Sequence, residues 1–180
     1  MAKKVWQADD GGLNPSVEEY TVGTDYITDL ELIKFDIVAS KAHAKMLAKQ
    51  SIVTDQELVS LTDALDELHA MVENGKFTID KSQEDGHTAI EQFLTEKCGE
   101  AGKKIHTGRS RNDQSLVMLR LFSKNYLQEI EESLNDLIKA FNAEISKKGS
   151  LAMPGYTHMQ KAMPTTVGTW LGAYKDGFVD

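Results

Sequence analysis

NDQSLVMLRLFSKNYLQEIEESLNDLIKAFNAEISK, residues 112–147, runs for 36 residues without a proline or a glycine. Within it Leu119, Phe122, Tyr126, Ile130, Leu134, Leu137, Phe141 and Ile145 recur every three or four positions. That spacing keeps them on one side of an α-helix. At about 1.5 Å per residue, such a helix is about 54 Å long. A single compact domain of 180 residues has a radius of gyration of only about 16 Å. The rod is too long for one such domain to bury, so its apolar side is expected to pack in a bundle, with other subunits supplying part of it.

Upstream of the rod the patterning stays helical. Asp29 reads as an N-cap, and Leu30, Ile33, Ile37, Ala44 and Leu47 follow on or near one face up to Gln50. Thr54 and Glu57 have the spacing of a capping box. Leu58, Leu61, Leu65, Leu68 and Val72 then form a stripe that needs a partner helix, and Gly75 is a natural stop. Residues 76–82 are short and at best extended. A third helix is predicted from about Glu84 to Cys98, with Ala89, Ile90, Phe93, Leu94 and Cys98 as its apolar side and Gly99 and Gly102 at its end. Residues 1–28 hold Gly11, Gly12, Asn14-Pro15 and Gly23 and read as an extended or looped arm. Downstream, Gly149 ends the rod and Met153–Gln160 reads as a turn-rich loop. Pro164 then opens another helix carrying Val167, Trp170, Leu171 and Tyr174. That pattern is still running at Asp180, so the chain reads as truncated. The fold class is all-α. Residues 1–111 form a small N-terminal helical domain with an extended arm, and residues 112–180 begin a central helix-bundle domain.

Composition narrows the function. Lys and Arg total 20 against 28 Asp and Glu, a net charge of -8. Broad nucleic-acid or membrane-surface binding needs the opposite sign, so neither is expected. No stretch approaches the roughly 18 apolar residues of a membrane span, and the N-terminus lacks the apolar core of a signal peptide. A cytoplasmic location is expected by default. Cys98 is the only cysteine. It reads as a half-buried helix residue, no Cys/His spacing suggests a metal site, and no cofactor is expected.

Three clusters could carry chemistry. Lys103, Lys104, Arg109 and Arg111 put four fixed cations within nine residues, with His106 among them. Arginine forks match carboxylates, Gly108 permits close backbone approach, and Ser110, Asn112 and Gln114 sit where a helix N-terminus favours anions. Two readings stay open for this segment: a carboxylate or phosphate site, or a solvated basic loop with Ser110 or Asn112 as a helix cap. The second cluster is Glu84-Asp85-Gly86-His87, in which a carboxylate could tune a histidine or simply complement a helix dipole. The third is Thr157-His158, where a loop histidine offers acid–base chemistry or is merely satisfied by its neighbours. His69 reads as surface or bundle packing, and His43 is left unassigned.

Taken together, these stretches resemble argininosuccinate lyases of the fumarase/aspartase superfamily. Asp36–Leu47 is similar to the family's first helix, Glu84–Glu91 to its second motif, Lys104–Gln114 to its third and Met153–Gln160 to its fourth, in the family's order and spacing. The resemblance covers about residues 5–180. It implies an all-α homotetramer with active sites built from several subunits. It also implies cleavage of argininosuccinate, the small-molecule substrate, to arginine and fumarate by β-elimination. On the same grounds Thr157 and His158 are the catalytic pair: Thr157 binds the succinyl end, and His158 is acid, base or the partner of one. Arg111 and Asn112 would hold substrate carboxylates, Arg109 and Ser110 would shape their loop, and Gln160 would also face substrate. Asp85 and His87 would line or support the pocket. Asp25 stands where many members carry a substrate-binding serine, and an acid there could meet the guanidinium side. The family's catalytic serine belongs to a loop beyond position 180, so the 180-residue chain alone is expected to lack lyase activity. Alternatives are another lyase of the superfamily, such as an adenylosuccinate or aspartate lyase, or a non-catalytic, crystallin-like oligomerising relative.

Overall fold

The computed structural model describes residues 15–180, and the arm's Gly11, Gly12 and Asn14 lie outside them. In chain order the elements are α1 (Pro15–Val22), α2 (Asp25–Lys49), α3 (Asp55–Glu73), α4 (Gly86–Cys98), α5 (Glu100–Lys103) and α6 (Arg111–Lys148). β1 (Ala152–Thr157), β2 (Gln160–Thr166) and α7 (Val167–Val179) follow. Single 3-10 turns occupy Lys81–Gln83 and Lys104–His106. The chain divides into two compact units, residues 1–123 and 124–180, and the division falls inside α6.

The first unit owes its stability to three packed helices. Ile33, Ile37 and Leu47 of α2, Leu61, Leu65 and Leu68 of α3, and Ile90 and Leu94 of α4 are all buried, with Ile105 closing the cluster. Each such side chain contributes about 1.5–3 kcal/mol of burial. The α3 stripe is used as its spacing suggested: its centre is buried, and Leu58 and Val72 pack at the margins. The Thr54 capping box forms. Thr54 Oγ1 accepts from the Glu57 N–H at 3.2 Å, and Glu57 Oε2 accepts from the Thr54 N–H at 2.8 Å. Cys98 is half-buried and donates from Sγ to the Ser60 carbonyl.

Four local expectations are corrected. Residues 15–28 are not a loop: Pro15 opens α1, where its missing N–H costs nothing, and Gly23 at φ +54° separates α1 from α2. Asp29 does not cap its own helix, which starts at Asp25. Its carboxylate instead accepts from the Gly86 N–H at 2.8 Å, at the start of α4. Met153–Gln160 is mostly strand, and Pro164 lies in β2 rather than opening a helix. Thr166 caps α7 in its place, accepting from the Thr169 N–H at 3.0 Å.

The second unit holds the end of α6, the hairpin and α7. β1 and β2 pair antiparallel, with Pro154 opposite Pro164 and Thr157 opposite Gln160. In a two-stranded ribbon each strand has an open edge, so a proline's missing donor is tolerated. The register slips between Pro154 and Tyr156. Gly155 is needed at that slip, because a Cβ there would meet the Met163 carbonyl oxygen at 2.8 Å. His158 and Met159 form the tip, at φ +48° and +64°. This is the left-handed pair that a two-residue hairpin turn demands. The hairpin is the only sheet among the described residues, and the protein is otherwise helical.

Candidate functional site

The segment before α6 is tied down residue by residue. Lys104 pairs with Glu57 at 2.6 Å, and His106 Nε2 lies 3.1 Å from Glu91 Oε2. His43 Nε2 donates to the Thr107 carbonyl at 3.0 Å, so the histidine left unassigned by its sequence context anchors this loop. Gly108 takes φ +74°, and nothing lies within 4 Å of where its Cβ would stand. The turn itself therefore demands the glycine. Ser110 then caps α6. Its N–H donates to Asp113 Oδ2 at 2.7 Å, its hydroxyl lies 3.0 Å from the same oxygen, and its carbonyl accepts from the Gln114 N–H.

The two arginines differ. Arg111 is half-exposed at the head of α6. Its Nη1 donates to Asp85 Oδ2 at 2.6 Å and its Nη2 to Thr88 Oγ1 at 3.0 Å. These bonds use two of its five donors. Asp85 is itself the N-cap of α4, accepting from the Thr88 N–H at 2.8 Å. Arg109 is more deeply placed and donates to Ser40 Oγ at 3.0 Å. Burial pulls its guanidinium below its ordinary value, against the attraction of Asp36 and Asp113. Asn112 and Asp25 are both exposed.

Behind these groups lies a buried polar chain. Asp36, Ser40, His87 and Gln114 are all buried, and Asp36 is only 1% exposed. Asp36 Oδ2 receives His87 Nδ1 at 2.5 Å, Asp36 Oδ1 receives Ser40 Oγ at 3.3 Å, and His87 Nε2 lies 3.1 Å from Ser115 Oγ. Burial alone would lower the His87 pKa. The Asp36 hydrogen bond and charge, with Asp85 and Asp29 nearby, outweigh it and raise the value. The hydrogen bond from His106 holds Glu91 below the usual carboxylate range. Sequence reasoning missed Asp36 and Ser40. The signal was present: both share a helix face with Ile33, Ile37, Ala44 and Leu47, so a carboxylate sits inside an apolar stripe.

Thr88, Glu91, His106, Arg109, Arg111 and Gln114 line a pocket of about 250 Å³ against the first turn of α6. Asp85, His87, Arg109, Ser110, Arg111 and Asn112 thus gather around one helix start in the first unit. Thr157, His158 and Gln160 belong to the second unit, exposed at the hairpin tip.

These features define a class: an all-α helix-bundle protein whose polar chemistry gathers at the head of its longest helix. The chain belongs to the lyase family, whose description, "Lyase", matches residues 18–179. Over all 180 residues it is 46% identical to an argininosuccinate lyase of Thermotoga neapolitana and 42% identical to one of Bacteroides thetaiotaomicron. It spans 45% and 40% of those two relatives, less than half the length of each. Among solved structures, a fumarate lyase:delta crystallin from Brucella melitensis superposes with a TM-score of 0.73 at 17% identity. That match covers 98% of this chain and 44% of the other, and it is a likeness of fold.

Proposed function

We propose that the protein bearing this chain is an argininosuccinate lyase acting in arginine biosynthesis. The observation that carries the reading is 46% identity to such an enzyme along the whole chain. The chemistry is redox-neutral. A base removes the proton on the succinyl carbon next to a carboxylate, the electron pair becomes the C=C bond of fumarate, and the C–N bond breaks. The leaving guanidine nitrogen is protonated and departs as arginine. The carbanion-like intermediate carries a second negative charge on its carboxylate, so pre-placed donors lower the barrier. Arg111 and Asn112 at the positive end of α6 suit that task, with Ser110 and Arg109 fixing their loop and Asp85 and His87 supporting it. Thr157 would bind the succinyl end, His158 would move or orient the proton, and Gln160 would contact substrate. Asp25, an exposed acid, would face the guanidinium side.

In this reading the enzyme is a cytoplasmic homotetramer whose sites combine residues of several subunits. Residues 1–111 form its N-terminal helical domain and residues 112–180 begin the central bundle. Among the described residues no helix is long and apolar enough to cross a membrane. The test is release of fumarate and arginine in equal amounts from argininosuccinate. His158→Asn and Arg111→Gln should each lower kcat/KM by about a hundredfold or more. Undiminished turnover in both variants would reject the assignment.

A further inference from the structure

One carboxylate reaches both sides of the α6 head. Asp36 binds His87, which meets Ser115, the fifth residue of α6. It also binds Ser40, which accepts from Arg109, two residues before the helix. Arg111 and Asn112 lie between these two grips. A carboxylate that is 1% exposed persists in a core only where its partners replace the lost water. Here those partners are Ser40 of α2 and His87 of α4, and each in turn holds the chain near the α6 N-terminus, Ser40 at Arg109 and His87 at Ser115.

We propose that Asp36 is a positioning residue for carboxylate binding at Arg111 and Asn112. It orients the first turn of α6 through His87 and holds Arg109 through Ser40. The inference rests on reading that helix start as the substrate-carboxylate site. The His87 arm depends on its proton. With Nδ1–H fixed on Asp36, a neutral ring accepts the Ser115 hydroxyl proton at Nε2, whereas a protonated ring donates Nε2–H to Ser115 Oγ. The charged groups facing His87 are Asp36 and Asp29 from α2 and Asp85 at the head of α4. Arg111 is tied to Asp85, and Arg109 meets Asp36 through Ser40. α6 presents Ser115. The imidazolium adds positive charge behind the anion-binding turn and grips it with a charge-assisted bond. When the ring loses its proton, both effects go and carboxylate affinity falls.

Fumarate is the probe, and the protein is the whole enzyme that bears this chain, with its sites complete. Its binding constant and the ring carbon shift of His87 would be followed by NMR across pH. In the wild type, fumarate affinity should fall as pH rises, with a midpoint matching His87 and above the ordinary value of about 6.5. Asp36→Asn should move both midpoints down and weaken binding about tenfold at low pH. Ser40→Ala should weaken binding a few-fold, roughly, without moving the midpoint. Ser115 is only partly buried, so Ser115→Ala keeps the core intact even if Asp36→Asn does not fold. It should reduce, without abolishing, the pH dependence of binding while His87 still titrates. If fumarate binds and Arg111→Gln abolishes binding, but affinity ignores the His87 midpoint or Ser115→Ala leaves the profile unchanged, the inference fails and the site reading stands. If fumarate does not bind, or binds equally well to Arg111→Gln, the site reading fails and takes the inference with it.

Discussion

His87 and Glu57 give the protein opposite responses to pH. The His87 pKa is raised in the folded state, so its contribution to stability is full below the unfolded value of about 6.5. It is lost as pH rises through the raised value. Denaturant unfolding from pH 6 upward should therefore show a decline that His87→Gln lacks. Glu57 is the reverse: the Lys104 ammonium, the Thr54 N–H and the Thr54 hydroxyl hold it down to about 2, from 4.5. Its contribution is present above pH 4.5 and disappears as pH falls toward 2. The stability gap between wild type and Glu57→Gln should close over that acid window, and a gap independent of pH would refute this. Of the candidate site, the cations and their helix start were legible in the sequence, because residue type and spacing carry that information. Their partners were not. Asp36 lies 51 positions from His87, and Ser40 lies 69 from Arg109. Only the packing of α2 against α4 and against the segment leading into α6 brings them together.

At the scale of elements, legibility followed period and local chemistry. The α3 capping box and leucine stripe could be read because both repeat within a few residues. Thr54→Ala should cost about 1 kcal/mol and Leu65→Ala about 2–5 kcal/mol, both measurable by urea titration. The hairpin was hidden because its prolines and glycine signal a turn wherever they occur. Strand pairing opposes residues 152 and 166, a relation no local window contains. Gly102 gives a further check, since a Cβ there would meet the Leu94 carbonyl at 2.4 Å. Gly102→Ala should destabilise the first unit by about 1–3 kcal/mol, with Tm falling accordingly. An unchanged Tm would mean that α5 can shift away from α4 without cost.

At the scale of the molecule, the α6 stripe that decided the fold is only about half covered. Tyr126, Ile130 and Leu137 are 37%, 53% and 40% exposed. Such a face in water favours association. Sedimentation should show an average mass that rises with concentration, and Ile130→Lys should move it toward the monomer. A wild type that sediments as a monomer at all concentrations would count against the tetrameric reading. The buried cluster of the first unit has another consequence. It runs from Ile33 to Ile105, so every member is synthesised before Arg111. During translation, which proceeds from the N-terminus with domains folding as units, the three-helix core can form on the ribosome before the rod exists. The rod's first turn then docks onto a finished surface that already holds Asp36 and His87. A ribosome stalled after Ile105 has emerged but before α6 does should carry a protease-resistant N-terminal unit whose histidine pocket is waiting for Ser115.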